Sequence, residues 1–203
     1  QSSNVFYTMS KYILKIPMLL LFRVKVKGKL PKKGGFIIAS NHESFLDHFI
    51  FPTFVDRRIT YMAKAELFES KIGNFLFTNW GQIPLKRGGG DREAFEFALK
   101  VLEDGKCLGI YPEGTRSPDG TLWKGHTGVA RLALISGKPI IPVGMLGTYE
   151  AHPKDKRFFR PHKIVVKIGT PMNFNIYQGM ENDREITRRI TDTVMHAIGE
   201  LTG

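Results

Sequence analysis

Short apolar runs and helix-length segments alternate along nearly the whole chain, and this rhythm constrains the fold more than any other feature. The runs are FIIAS at 36–40, ITYMA at 59–63, QIPL at 82–85, CLGIY at 107–111, IIPVGMLG at 140–147 and KIVVKIG at 163–169. Each is short, bounded by turn residues and apolar on consecutive positions, as strands buried on both faces are. A half-exposed strand pattern, RVKVK, precedes them at 23–27. Between them lie helical segments. Ser44 and Asp47, three residues apart, match a capping box that predicts a helix from Ser44, and Glu66 to Trp80 reads as helix. Asp91 reads as the cap of a helix with Phe95, Leu99 and Leu102 on one face and Gly105 as its stop. Thr127–Ser136, closed by Gly137, and Asp183–Leu201 complete the set. Strand–helix alternation implies an α/β fold: a single domain with a largely parallel central sheet covered by helices on both faces. The domain spans 23–203 and follows a basic amphipathic N-terminal helix at 1–22.

With 42% apolar and 24% charged residues the chain has the means to build a core, which excludes a wholly disordered protein. Its one cysteine, Cys107, excludes an internal disulfide and a cysteine-based zinc site, and falls in a buried strand. The net charge of +11 is concentrated at one end. No acidic residue precedes Glu43, whereas Lys11, Lys15, Arg23, Lys25, Lys27, Lys29, Lys32 and Lys33 do. A basic end suits a polyanion, either nucleic acid or an anionic membrane surface. Within it, VFYTMSKYILKIPMLLLF at 5–22 is interrupted by Lys11, Lys15 and Pro17, too broken for a spanning helix. Two readings stand: an interfacial helix whose lysines meet lipid phosphates, or a helix packed on its own domain.

Several chemistries lack their motifs. The sequence holds no G-x-S-x-G elbow, no complete P-loop, no G-x-G-x-x-G and no H-E-x-x-H, so nothing points to a metal. What remains is gathered at predicted strand exits, where parallel α/β sheets bind ligands. After FIIAS comes Ser40-Asn41-His42-Glu43-Ser44-Phe45-Leu46-Asp47. His42 suits general-base work near neutral pH, and a carboxylate can fix its tautomer. On one regular helix His42 and Asp47 would point about 140° apart. They meet if His42 occupies the turn and Asp47 the first helical turn. His-x₄-Asp by itself is a weak signal, found by chance in about one such chain in four. Tyr111-Pro112-Glu113-Gly114-Thr115-Arg116-Ser117 follows CLGI, and its arginine suits a phosphate. Lys86 and Arg87 follow QIPL and Lys64 follows ITYMA, so several cations converge on the edge bearing His42.

These blocks resemble a known family. N-H-E-S-F-L-D (41–47), I-P-L-K-R (83–87), Y-P-E-G-T-R-S (111–117) and I-I-P-V (140–143) stand in the order and spacing of the four motifs of the glycerolipid acyltransferases of PlsC type, the 1-acylglycerol-3-phosphate O-acyltransferases. The likeness spans about 36–145. It implies transfer of a fatty acyl group from acyl-CoA or acyl carrier protein to the free hydroxyl of lysophosphatidate, with no other cofactor, no metal and no nucleic-acid partner. Other acceptors in the same class are glycerol 3-phosphate, a lyso-ornithine lipid or a glycolipid. The outside alternative is a non-enzymatic binder of membranes or nucleic acid. By resemblance, His42 is the general base and Asp47 its orienting partner, Glu113, Gly114, Thr115 and Arg116 form the acceptor-binding block, and Lys86 and Arg87 contact phosphate. Lys64 faces the phosphate or the oxyanion. Two positions depart from the common pattern: His48, where many relatives carry proline, and His126, where a small residue is usual. The implied location is peripheral or monotopic, on the cytoplasmic face of the cell membrane.

Overall fold

A computed structural model describes residues 2–85 and 90–203. In chain order the elements are α1 (Ser2–Phe22), β1 (Lys25–Lys27), β2 (Phe36–Ser40), α2 (Asp47–Phe54), β3 (Ile59–Lys64), α3 (Lys71–Asn79), β4 (Gln82–Leu85), α4 (Gly90–Glu103), β5 (Cys107–Ile110), α5 (Gly128–Ser136), β6 (Ile140–Leu146), α6 (Thr148–Ala151), β7 (Val165–Ile168) and α7 (Arg184–Thr202). The strands form one sheet ordered β1-β7-β6-β2-β5-β3-β4, with every neighbouring pair parallel except β6 and β7. The α/β architecture expected from the sequence is the one observed.

Strand alternation sends side chains to two cores. Phe36 and Ile38 of β2 join Ile141, Val143 and Met145 of β6 beneath α1 and α2, where Met18, Phe22, Ile50 and Phe51 are buried. Ile37 and Ala39 face the other way with Ile140, against Leu102 of α4, Ala130 and Leu134 of α5, and Val194 and Ile198 of α7. Each fully buried Ile, Leu or Phe contributes about 1.5–3 kcal/mol, so β2, buried along its whole length, anchors both layers. Pro84 is tolerated because β4 is an edge strand.

Three local expectations are corrected. The helix expected over 66–80 is divided into a 3₁₀ turn at Ala65–Phe68 and α3, because Ser70 caps α3 by accepting a hydrogen bond from the Gly73 N–H. α2 begins at Asp47 and not at Ser44. The Ser44 hydroxyl donates to the His152 carbonyl (2.9 Å), and Leu46 holds the cap position with no side-chain bond. Asp91 lies inside the first turn of α4, which starts at Gly90.

The N-terminal helix also departs from expectation in its orientation. α1 does pack on the domain, burying Tyr7, Met18 and Phe22, but its two lysines turn inward. Lys11 Nζ donates to the Val55 carbonyl, and Lys15 sits 5.8 Å from the Phe54 ring centroid. The outward face is apolar instead: Met9, Tyr12, Ile13, Ile16 and Leu20 are all exposed, at the 3–4 residue spacing of one helical stripe. The exposed cations follow the helix, at Arg23, Lys25, Lys27, Lys29, Lys32 and Lys33. No helix among the described residues is long and apolar enough to cross a membrane.

Candidate active site

β2 lies at the centre of the sheet between β5 and β6, and the chain leaves it toward β3 on one side and later reaches β6 on the other. The carboxyl ends of β2 and β5 therefore open at a topological switch point, the crevice where such sheets bind ligands. Ala39 pairs with Ile110, so the turns starting with Asn41 and Tyr111 leave the sheet side by side.

Asn41 prolongs the ladder with its side chain. Its Nδ2 donates to the Met145 carbonyl (2.8 Å) while its Oδ1 accepts from the Met145 N–H (2.8 Å), pinning the chain to β6 one residue before His42. His42 is 8% exposed, and its Nδ1 lies 2.9 Å from Asp47 Oδ2. That same oxygen accepts from the backbone N–H groups of Glu43 (2.9 Å) and Ser44 (2.8 Å). Asp47 is fully buried at the start of α2, its carboxylate held through this one oxygen by three donors, and it sets the imidazole tautomer: Nδ1 donates to it and Nε2 keeps its lone pair. Nε2 has no hydrogen-bond partner among the described residues, and His42 lines a cavity of about 550 Å³. The expected layout, His42 in the turn and Asp47 in the first helical turn, is the one observed.

The second loop is tied to the first by backbone bonds. Ser117 N–H donates to the His42 carbonyl (2.7 Å), and Glu113 Oε1 accepts from the His42 N–H (2.8 Å). Glu113 Oε2 accepts from the Trp123 N–H (2.8 Å). With both oxygens engaged and 4% exposure, Glu113 faces inward and clamps the loop carrying His42, rather than offering its carboxylate to a ligand. Burial raises its pKa above the ordinary carboxylate value against the pull of those two N–H groups. Glu43, accepting from Asn41 Nδ2 (2.9 Å), is raised to about 7, chiefly by burial.

Gly114, Thr115 and Arg116 all line the cavity beside His42. Gly114 has φ +70, which calls for glycine, and a Cβ there would stand 3.1 Å from Cδ2 of the exposed His126, which would have to shift. Arg116 is half-buried and forms no ion pair among the described residues. Lys86 and Arg87 lie outside the described residues, as does the side chain of Lys64, whose backbone closes β3. No group of three or more His, Cys, Asp or Glu able to hold a metal occurs among the described residues.

A family model described as Acyltransferase matches residues 22–146. The 1-acyl-sn-glycerol-3-phosphate acyltransferase of Bacillus subtilis is 30% identical over 192 residues, covering 93% of this chain and 92% of that protein. The enzyme of the same name from Limnanthes douglasii is 32% identical over 153 residues, 74% of this chain and 54% of its own length. The chain belongs to the PlsC-type glycerolipid acyltransferases. Its fold is also that of the 1-acyl-sn-glycerophosphate (LPA) acyltransferase PlsC of Thermotoga maritima, with a TM-score of 0.80 at 27% identity, covering 98% of this chain and 80% of that one.

In this acyltransferase the structure adds residues that motif reading left without a role. Tyr111 stacks on His42 at 3.9 Å and 15°, and Tyr61 stacks on Tyr111 at 5.4 Å and 17°. Gly109 makes the row possible: a Cβ there would meet Tyr61 Cε1 at 2.3 Å. His48 stands edge-on to all three rings, 5.1 Å from His42, 5.0 Å from Tyr111 and 5.5 Å from Tyr61. A glycine inside the apolar run CLGIY was the available sequence signal for this close approach.

Proposed function

We propose that the chain transfers a fatty acyl group from a thioester donor, acyl-CoA or acyl carrier protein, to the free hydroxyl of lysophosphatidate, giving phosphatidate, with no cofactor beyond that co-substrate. The observation carrying this reading is the buried His42–Asp47 pair at the mouth of a cavity that also presents Arg116. His42 Nε2 takes the proton as the acceptor oxygen attacks the thioester carbonyl. The tetrahedral intermediate collapses, the C–S bond breaks, and the thiolate leaves with a proton returned by the imidazolium. A positioned base supplies about 10²- to 10⁴-fold in rate. Asp47 holds the tautomer and stabilises the imidazolium. Glu113 positions His42 through its backbone, and Arg116 binds the acceptor phosphate bidentately. Lys64, Lys86 and Arg87 act on the phosphate or the oxyanion, as their motif positions imply.

The acceptor resides in a bilayer, and α1 is read as the docking element. Its apolar stripe enters the headgroup boundary of the cytoplasmic leaflet while the cations at 23–33 meet anionic lipid. The exposed Phe158 and Phe159, flanked by Arg157 and Arg160, lie at the same end, Phe159 touching Phe22. Ile13→Asp with Leu20→Asp removes apolar burial worth about 1.5–3 kcal/mol per residue, and flotation with anionic vesicles should show a loss of tenfold or more in binding. Retained binding by a folded double variant contradicts the docking reading.

For the activity, radiolabelled acyl-CoA and acyl carrier protein are each offered with lysophosphatidate, glycerol 3-phosphate and lyso-ornithine lipid. Labelled phosphatidate from lysophosphatidate is the expected product. Transfer confined to another acceptor overturns the substrate assignment.

A further inference from the structure

The cavity beside His42 is walled by Phe45, Phe49, Met62 and Phe77, as a hydrocarbon chain requires, yet it is not purely apolar. Gln82, the first residue of β4, is 4% exposed and lines it, and neither Nε2 nor Oε1 of its carboxamide has a hydrogen-bond partner among the described residues. His48 Nδ1 is buried without a partner among the described residues in the same wall, and burial keeps that imidazole neutral, with its pKa lowered to about 4. The Tyr61 and Tyr111 hydroxyls, both buried, interact with each other and with no further partner among the described residues. Around His42, Asp47 Oδ1 and Ser40 Oγ are also buried without a partner among the described residues, but Gln82 is set apart by having both of its polar atoms unmet.

A plain acyl chain entering this space would strip water from an amide and an imidazole while returning nothing, at a cost of a buried unmade hydrogen bond for each. The Gln82 amide offers both a donor and an acceptor, and a hydroxyl can satisfy both at once, whereas a keto oxygen can only accept. Tyr61 pairs with Gln82 across β3 and β4, so Gln82 stands beyond the third ring of the row that begins at His42. A group there meets the middle of a chain and not its carbonyl end. We propose that this cavity selects an acyl chain carrying a mid-chain hydroxyl, with Gln82 as the residue that reads it and His48 lining the path to it. The inference rests on the acyltransferase reading for its substrate but not for its binding site.

The test therefore has two arms. In the first, calorimetry measures binding of palmitic acid and a panel of its monohydroxylated positional isomers to the full chain. In the second, their CoA thioesters compete for transfer to lysophosphatidate. The wild type is expected to prefer a mid-chain isomer over the unsubstituted acid by about tenfold, the factor one satisfied buried hydrogen bond supplies. Gln82→Leu and Gln82→Met should each abolish that preference by binding the plain chain better. Either variant should melt no lower than the wild type, because each removes an unpartnered buried amide. No preference in the wild type for any isomer, or a preference unchanged in a folded Gln82 variant, overturns the proposal. Discrimination in binding without transfer from any donor sinks the functional reading and leaves this one standing. Efficient transfer without discrimination does the reverse.

Discussion

The rim of the site and the cavity behind it differ in how far their hydrogen bonds are met, although Asp47 Oδ1 at the rim is also without a partner among the described residues. At the rim, Asn41 borrows the ladder of β6, Asp47 is gripped by two N–H groups and an imidazole, and Glu113 bonds the backbone of two separate loops. In the cavity, Gln82 and His48 sit buried with polar atoms unmatched. A group that must present one nitrogen in one direction is fixed by every neighbour it has, since donors and bases work only when held in place before reaction. A wall that must distinguish chains gains from leaving hydrogen-bonding capacity open until a ligand fills it. The rim is thus where substitutions should abolish turnover, and the cavity is where they should change what is turned over.

The largest effect that sharpens this contrast is expected from Asp47→Asn. The amide oxygen can keep the three donors that Asp47 Oδ2 now accepts, but the negative charge that stabilises the imidazolium is lost, so kcat should fall by about 10²-fold or more while donor KM stays near the wild-type value. Glu113→Gln comes next. A carboxamide has one acceptor oxygen for two N–H groups and turns an NH₂ on the other, so stability should drop by about 1–3 kcal/mol in urea titration, with kcat lowered through the His42 loop. Gly114→Ala should cost about 1–2 kcal/mol through its positive φ, and crowding of His126 should raise acceptor KM, read by steady-state kinetics.

The smallest effect concerns Glu43. Its folded pKa, raised to about 7 by burial, means the folded chain binds the proton more tightly than the unfolded chain. Stability is therefore highest below the ordinary carboxylate value and declines as pH rises to about 7. Glu43→Gln removes that decline. Melting at pH 8 should rise by about 2–4 °C, equivalent to roughly 1 kcal/mol once solvent screening at this half-buried site is allowed for, with no gain at pH 4.

The rim was legible in the sequence for a physical reason: His42 and Asp47 are five residues apart across one strand–turn–helix junction, and Arg116 follows the exit of the adjacent strand. Local chain geometry brings such groups together. The cavity draws Tyr61, Gln82, Gly109 and His48 from four elements, and no spacing along the chain announces their meeting. α1 shows a different limit. Its apolar and basic residues were recognised, but which face looks outward was decided by Val55 and Phe54, which capture Lys11 and Lys15. Ser70 divided the segment at 66–80 because its hydroxyl satisfied a Gly73 N–H that helix continuation would have used differently.

The central claim is that the lone pair on His42 Nε2 removes the acceptor's proton. Steady-state acyl transfer to lysophosphatidate by wild type and His42→Ala, compared at equal membrane binding, measures this most directly. The account predicts a fall in kcat of about 10²- to 10⁴-fold with the donor KM little changed. A folded His42→Ala protein that turns over within threefold of the wild type would contradict it.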